Sequence, residues 1–312
     1  MKITFLGTGA GKPSKERNVS SLLLNMVEEL GYAFLFDCGE GAQLRLMHLP
    51  VKLNQINHIF ITHLHGDHLF GLPGLLGSRS FENKAVPLDI YGPKGLALFI
   101  DTILKVSQTH LSYPFEVTEI SSGDAFYFDR FKIETALLDH GLPSFGYRVT
   151  ETKPGALDAE KLKELGVPPG PIYGRLKNGE TVVLDGNTYR GSDFIKDQKT
   201  DRVITICGDT RKCDSAIKLA KDSSVLVFEA TYMDIHQEKA DKYYHSTSKD
   251  AASIASESGT RSLILNHTSS RYLDQGKALL EEAKEVFGNT YLASDFTEFD
   301  VTPDGAKVLS FS

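Results

Sequence analysis

The segment Thr62-His63-Leu64-His65-Gly66-Asp67-His68 places four ligand-type side chains within six positions. In an extended chain His63 and His65 point to the same side, because side chains alternate with a period of two. Gly66 then allows a tight turn that returns Asp67 and His68 to a neighbouring point. Neutral imidazole and carboxylate suit Zn²⁺, and less selectively Mn²⁺ or Fe²⁺. The group is large enough to serve two adjacent cations. Two cations about 3.5–4 Å apart acidify a water held between them and stabilise charge on an attacked phosphoryl or carbonyl oxygen. The expected chemistry is hydrolysis.

These residues need strands to aim them. Residues 58–62 read as an apolar strand, and the histidine run starts where it ends. Before it, residues 3–6 read as a strand entering the small-residue loop Gly7-Thr8-Gly9-Ala10-Gly11, and 20–26 with 32–36 read as a strand pair. Residues 42–48 form a predicted helix closed by Pro50. Helical spacing recurs at 94–107, and 115–138 suggest two or three antiparallel strands. After residue 201, strands at 203–207, 225–228 and 262–265 alternate with helices at 248–256 and 275–287. That order predicts an α/β fold with two sheets covered by helices. Between them, residues 153–190 are rich in Gly and Pro with weak apolar periodicity, apart from a short helical piece at 158–165. Such a stretch reads as an exposed insertion or a functional arm.

Composition narrows the class. The chain has 312 residues, 41% hydrophobic and 24% charged, close to globular averages. No apolar run approaches the roughly 18 residues of a membrane span, and the first strand is too brief for a signal peptide. Three widely spaced cysteines, Cys38, Cys207 and Cys213, form no C-x-x-C pair and fit a reducing compartment. A soluble, cytoplasmic protein with no membrane partner is expected. Thirty-four Lys and Arg against 41 Asp and Glu leave a net charge of −7, which argues against a non-specific nucleic-acid coat and against DNA as a partner but leaves room for a local basic track. Of the ten histidines, His48, His58, His110 and His236 have no nameable partner and are expected to be packed or on the surface.

The H-x-H-x-D-H run resembles the signature of the metallo-β-lactamase superfamily. That resemblance implies a four-layer αββα sandwich of two mixed sheets flanked by helices, formed as a single domain over 1–312 with an inserted flexible arm at 151–197. It also implies a ligand set. One cation would take His63, His65 and His140; a second would take Asp67, His68 and His267; Asp209 would bridge them. Asp37, in Phe36-Asp37-Cys38-Gly39, matches the superfamily's acidic supporting residue. Two Zn²⁺ per subunit are implied, with Mn²⁺ accepted by much the same ligands, and Asp67 would also orient the proton of the nucleophile.

Four further stretches resemble the tRNase Z family. Pro13 to Asn18 fits its P-x-K-x-R-N loop at every fixed position, which implies that Lys15, Arg17 and Asn18 lie near the tRNA 3′ end. The run 170–179 resembles the tip of the family's tRNA-gripping arm, with Gly170, Pro171, Gly174, Arg175 and Lys177 as substrate contacts. Lys161, Lys163, Arg175 and Lys177 against Glu164 give residues 161–177 a local charge of +3. Phe228-Glu229-Ala230-Thr231 and His245-Ser246-Thr247 imply His245 as the general acid for the leaving 3′ oxygen, oriented by Glu229. Ser269-Ser270-Arg271-Tyr272 resembles the substrate-phosphate loop, through Ser270 and Arg271. The implied activity is removal of 3′ trailers from precursor tRNA by cleavage after the discriminator nucleotide, leaving a 3′-hydroxyl, in a homodimer whose arm clamps tRNA over the partner's site. Two rivals remain: a small-molecule phosphodiesterase or lactonase on the same fold, and a non-catalytic RNA-binding relative.

Overall fold

The computed structural model describes residues 1–153, 156–177, 180–196 and 199–310. An eight-stranded and a seven-stranded sheet pack face to face. The first runs Gly305–Ser310, Glu298–Thr302, Lys2–Gly7, Ser21–Met26, Tyr32–Phe36, Ile56–Phe60, Leu88–Gly92 and Phe115–Glu119. The second runs Thr290–Leu292, Ser262–Asn266, Val225–Glu229, Lys199–Cys207, Phe145–Lys153, Phe131–Leu137 and Ala125–Phe128. Each mixes parallel and antiparallel pairs, such as the parallel Tyr32–Phe36 with Ile56–Phe60 and the antiparallel Phe131–Leu137 with Phe145–Lys153.

Alternation along the strands makes the layers. Phe34 and Phe36 face the core between the sheets, whereas Ala33 and Leu35 face the outer helices. In the second sheet Val225 and Val227 point inward while Leu226 and Phe228 point to the other helical layer. Strands buried on both faces read as continuous apolar runs. Helices Ala42–Leu46, Leu72–Arg79 and Leu96–Val106 cover one side, and Asp214–Leu219, Ser248–Glu257 and Gly276–Lys284 the other. The expected αββα sandwich is the observed one. Between the sheets Phe36 stacks on Phe60, with ring centroids 4.9 Å apart, and Tyr147 meets Phe36 edge-on. The buried Tyr147 hydroxyl donates to the Ile61 carbonyl at 2.6 Å, and Phe145 N–H to that of Thr62 at 2.9 Å. The second sheet therefore holds the first just where the histidine run begins.

Two expectations change. Residues 115–138 do not form one antiparallel set. Phe115–Glu119 pairs in parallel with Leu88–Gly92 in the first sheet, and the hairpin Ala125–Phe128 with Phe131–Leu137 belongs to the second. Alternation reveals a strand but not a partner chosen by distant residues. The insertion, expected as an exposed Gly/Pro-rich stretch with weak apolar periodicity, has a small core of its own: Leu162, Val167, Leu176, Val182 and Phe194. Helices Ala159–Glu164 and Pro171–Lys177, the hairpin Thr181–Leu184 with Asn187–Arg190, the connection carrying Val167 and the short 3-10 turn Gly191–Phe194 supply it, and a ladder of Ala156–Leu157 with Ile195–Lys196 closes it. The run resembling an arm tip is thus largely a helix. Its Asn178 and Gly179, and residues 154–155 and 197 of the insertion, lie outside the described residues. At the root, buried Glu151 pairs with Arg202 and Arg130, and both arginines also reach Glu29, which pairs with the amino terminus.

Candidate active site

The candidate residues come together because they follow strand ends on one edge of the sandwich. Asp37 follows Tyr32–Phe36, His63 and His65 follow Ile56–Phe60, His140 follows Phe131–Leu137, Asp209 follows Lys199–Cys207, and His267 follows Ser262–Asn266, while Glu229 ends Val225–Glu229. Close packing depends on glycines here. A Cβ at Gly208 would lie 2.6 Å from the Thr62 Cβ, and one at Gly39 would lie 2.4 Å from the Asp67 carbonyl oxygen. Gly66, by contrast, opens the short helix Gly66–Leu69 without a positive φ, so the expected tight turn is a helix start.

One group is His63, His65, His140 and Asp209. His65 Nδ1 lies 3.1 Å from His63 Nε2 and 3.3 Å from His140 Nε2. A tetrahedral cation with nitrogens at about 2.0–2.1 Å sets its ligands about 3.3 Å apart. The other nitrogens are committed: Thr62 Oγ1 lies 3.0 Å from His63 Nδ1, and the Tyr244 carbonyl accepts from His140 Nδ1 at 2.8 Å. Burial, and then the neighbouring imidazoles, lower the pKa of His63 and of His65, keeping their lone pairs free.

The second group is Asp67, His68 and His267. Asp67 Oδ2 lies 3.3 Å from His267 Nε2 and 3.6 Å from His68 Nε2. Asp209 serves both groups, with Oδ1 at 3.5 Å from His68 Nε2 and Oδ2 at 3.2 Å from His267 Nε2 and 3.6 Å from His63 Nε2. Asp37 Oδ2 accepts from His68 Nδ1 at 2.7 Å, and Thr231 Oγ1 lies 3.0 Å from His267 Nδ1. Such partners fix which ring nitrogen is free to ligate. His68 Nε2 is buried without a hydrogen-bond partner, an orphaned donor set that a cation would satisfy. Burial opposes charge on His68, but Asp209 and Asp37 outweigh it and raise its pKa. The carboxylates thus demand positive charge at this point. Asp37 and His267 both adopt positive φ, 56° and 53°, backbone strain of the kind that gathers at functional sites.

Beside these groups His245 Nδ1 lies 2.9 Å from Oε1 of the buried Glu229. Thr210 N–H, Thr231 Oγ1–H and Ser246 N–H also donate to Glu229, at 2.7, 2.6 and 3.0 Å. Burial works against the imidazolium of His245, yet Glu229, Asp209 and Asp67 prevail and push its pKa up to about 9. With Nδ1 held, Nε2 is the nitrogen left to carry a transferable proton. His245 also falls within a third metal-capable group with Asp209 and His267.

Comparison with known proteins decides the family. Ribonuclease Z from Bacillus cereus (strain G9842) is 52% identical over 305 residues, spanning 96% of this chain and 99% of the relative. Ribonuclease Z from Bacillus thuringiensis (strain Al Hakam) matches to the same extent. The chain belongs to the ribonuclease Z family. The crystal structure of human tRNase Z, short form (ELAC1), matches with a TM-score of 0.70 and 32% identity, over 96% of this chain and 99% of that one. The metallo-beta-lactamase fold protein YhfI from Bacillus subtilis, at 18% identity and a TM-score of 0.66 over 95% of this chain and 98% of that one, shares the fold. A family model described as Anti-Pycsar protein Apyc1 matches residues 1–153.

The outer candidates divide. Lys15, Ser270 and Arg271 are exposed. Arg17 and Asn18 instead hold their loop in place. Arg17 Nη1 donates to Thr8 Oγ1 and the Ala293 carbonyl at 2.6 and 2.7 Å, while Asn18 donates through its side chain to the Glu40 carbonyl and through N–H to Asp295. Gly11 N–H, 2.8 Å from Asp67 Oδ2, docks the same loop onto the second metal group. In the insertion Gly170, Pro171, Gly174, Arg175 and Lys177 are exposed, with Arg175 paired to Glu180 at 2.8 Å. Sequence reading missed Thr62, Thr231, the Tyr244 carbonyl and Asp295. A hydroxyl one residue from a ligand marks Thr62, and Thr231 sits in a quoted motif, but a backbone carbonyl leaves no trace in side-chain identity. Of the unassigned histidines, His58 packs against Phe128 and burial lowers its pKa to about 4, and His236 meets the Tyr272 hydroxyl at 2.6 Å.

Proposed function

We propose that this chain is a zinc-dependent endoribonuclease that removes 3′ trailers from precursor tRNA by hydrolysis after the discriminator nucleotide, leaving a tRNA 3′-hydroxyl. His63, His65 and His140 would hold one Zn²⁺ and Asp67, His68 and His267 a second, with Asp209 between the two groups as their shared carboxylate; Mn²⁺ suits much the same donors. When bound, the pair supplies charge neutralisation at the scissile phosphate and acidified water. Asp67 orients the nucleophile's proton. His245, held by Glu229, delivers a proton from Nε2 to the departing 3′ oxygen, a contribution of about 10²–10⁴-fold. Lys15, Ser270 and Arg271 contact phosphates around the cut, and the exposed face of Gly170, Pro171, Gly174, Arg175 and Lys177 meets the tRNA body. Asp37 supports the second cation through His68. The working unit is a cytoplasmic homodimer within which residues 151–197 form the arm, and no helix among the described residues is long and apolar enough to cross a membrane.

The observation that carries this reading is the His245–Glu229 pair poised beside the two His/Asp groups, because phosphodiester cleavage needs an acid for the leaving alkoxide as well as an attacking site. Its test is an end-labelled precursor tRNA with a 3′ trailer, incubated with and without chelator. One chelator-sensitive cut after the discriminator is expected. Hydrolysis of a small phosphodiester without any tRNA cut would make the chain a small-molecule phosphodiesterase instead.

A further inference from the structure

We infer that Arg211 and Tyr244 form a clasp that sets the general acid against the first metal group, a role resting on the reading of His245 as that acid. Three loops meet at this point, carrying Asp139 and His140, Asp209 to Arg211, and Tyr244 and His245. The Arg211 guanidinium forks onto the Asp139 carboxylate, with Nε to Oδ2 at 3.0 Å and Nη2 to Oδ1 at 3.1 Å. Backbone bonds reinforce the join: Arg211 N–H donates to the Asp139 carbonyl at 2.9 Å, and Asp139 N–H to Thr210 Oγ1 at 3.0 Å. A face of the guanidinium lies over the Tyr244 ring, its central carbon 4.4 Å from the ring centre. A planar cation can fork a carboxylate and stack on an aromatic ring at once, which an ammonium cannot.

Tyr244 is well placed to transmit this restraint. Its carbonyl accepts from His140 Nδ1 at 2.8 Å, fixing the imidazole whose Nε2 faces His65. The next residue is His245. Tyr244 also holds a left-handed φ of 58°, unfavourable for a side chain of its size, so something must keep it there. The carbonyl and the following Cα belong to the same peptide plane. Rotation of that plane would swing the support of His140 and the position of His245 together. Arg211, pinned to the residue before His140 and stacked on the residue before His245, opposes such a rotation. It is a positioning residue and touches no reacting atom.

The alternative for a half-exposed arginine at the mouth of an RNA-cutting site is a direct phosphate contact, and the two roles part in kinetics. Full-length Arg211→Lys, Arg211→Ala and His245→Ala would be compared by single-turnover cleavage of precursor tRNA at saturating Zn²⁺, with KM, salt dependence, bound metal and circular dichroism recorded. The clasp predicts that Arg211→Lys and Arg211→Ala both lower the single-turnover rate about 10- to 100-fold, with KM within about twofold and the metal content kept. In a His245→Ala background, Arg211→Ala should cost less than about threefold more, since the acid it positions is gone. Rescue by lysine, or a raised KM with unchanged rate and a salt slope shallower by about one, would overturn the clasp and make Arg211 a phosphate contact. A full-sized, additive loss in the His245→Ala background would also overturn it. Parent-like turnover by His245→Ala alone would instead defeat the general-acid reading beneath it.

Discussion

Asp37→Asn tests whether the second metal group depends on the tautomer of His68. Asp37 Oδ1 accepts from Thr62 N–H at 2.7 Å, while Oδ2 faces Thr62 Oγ1 at 2.9 Å and His68 Nδ1 at 2.7 Å. Asparagine has the same shape and tolerates the positive φ of 56° at least as well, so neither volume nor backbone strain changes. It has one acceptor oxygen where aspartate has two. If that oxygen serves Thr62, the amide presents N–H to His68 Nδ1; if it serves His68, the amide opposes Thr62 N–H. Either way a buried donor faces a donor, costing about 1–3 kcal/mol. The backbone N–H cannot relocate its proton, whereas His68 can move its own from Nδ1 to Nε2. That shift relieves the clash and removes the lone pair a cation would use. Loss of such an orienting partner weakens metal binding about 10- to 100-fold, or about 1.4–2.8 kcal/mol. Competition with a chromophoric chelator should show one zinc equivalent weakened by that factor and the other within about threefold. Two equivalents bound as tightly as in the parent would refute the tautomer argument, as would equal weakening of both.

Thr231→Val should act on His267 as Asp37→Asn acts on His68, because Thr231 Oγ1 links Glu229 Oε2 to His267 Nδ1; chelator competition should show about 10-fold weaker binding at one site. Replacing residues 156–196 by a short linker should abolish precursor tRNA cleavage while leaving small-diester hydrolysis and the circular dichroism melt near the parent, since the insertion packs a core of its own. Glu29, bonded to Arg202 and the amino terminus, has its pKa lowered to about 2 from 4.5. A depressed carboxylate lends stability above its unfolded value and loses it as pH falls through the folded one. The urea-midpoint advantage of the parent over Glu29→Gln should therefore be full above pH 4.5 and fade toward pH 2; a gap that persists at the acid end would remove Glu29 as its source.

Much of the site was legible because its chemistry is carried by side chains at strand ends. The run 63–68 announces itself by residue type, and the strand before it by apolar character. The wider ligand set came from likeness to known motifs, since residues 140, 209 and 267 are joined to it only by long-range strand pairing. What stayed hidden has a common cause. The Tyr244 carbonyl, the parallel pairing of Phe115–Glu119 and the core of the insertion all depend on what lies opposite in space. Leu162, Val167, Leu176, Val182 and Phe194 sit on two helices, their connections and a hairpin, so no single period passes through them. Arg17 and Asn18 match a substrate-loop motif, yet their hydrogen bonds run to Thr8, Ala293, Glu40 and Asp295. A motif can mark a loop without saying which of its residues are free to reach out and which hold the loop in place.

Charge explains how a chain with a net charge of −7 can act on RNA. The centre gathers the carboxylates of Asp37, Asp67, Asp209 and Glu229, three of them buried and the fourth, Asp67, nearly so. His63 and His65 have lowered pKa values and offset little of that charge, while His68 and His245, both raised, offset part of it and leave the centre net negative. A phosphodiester entering such a cleft meets repulsion in a medium that screens poorly. Two dications would supply four positive charges against four carboxylates and leave the cationic residues outside, Lys15 and Arg271, to draw the backbone in. On this charge balance, docking of the cut region would need the metal as turnover does. Chelation should weaken binding of a precursor tRNA by about tenfold or more, while binding through the insertion persists, so a mature tRNA lacking the trailer should lose less. Filter binding with both RNAs, with and without chelator, reads this directly. Precursor affinity that survives chelation unchanged would mean that the carboxylate-lined cleft does not oppose the phosphate, and the charge argument would fail.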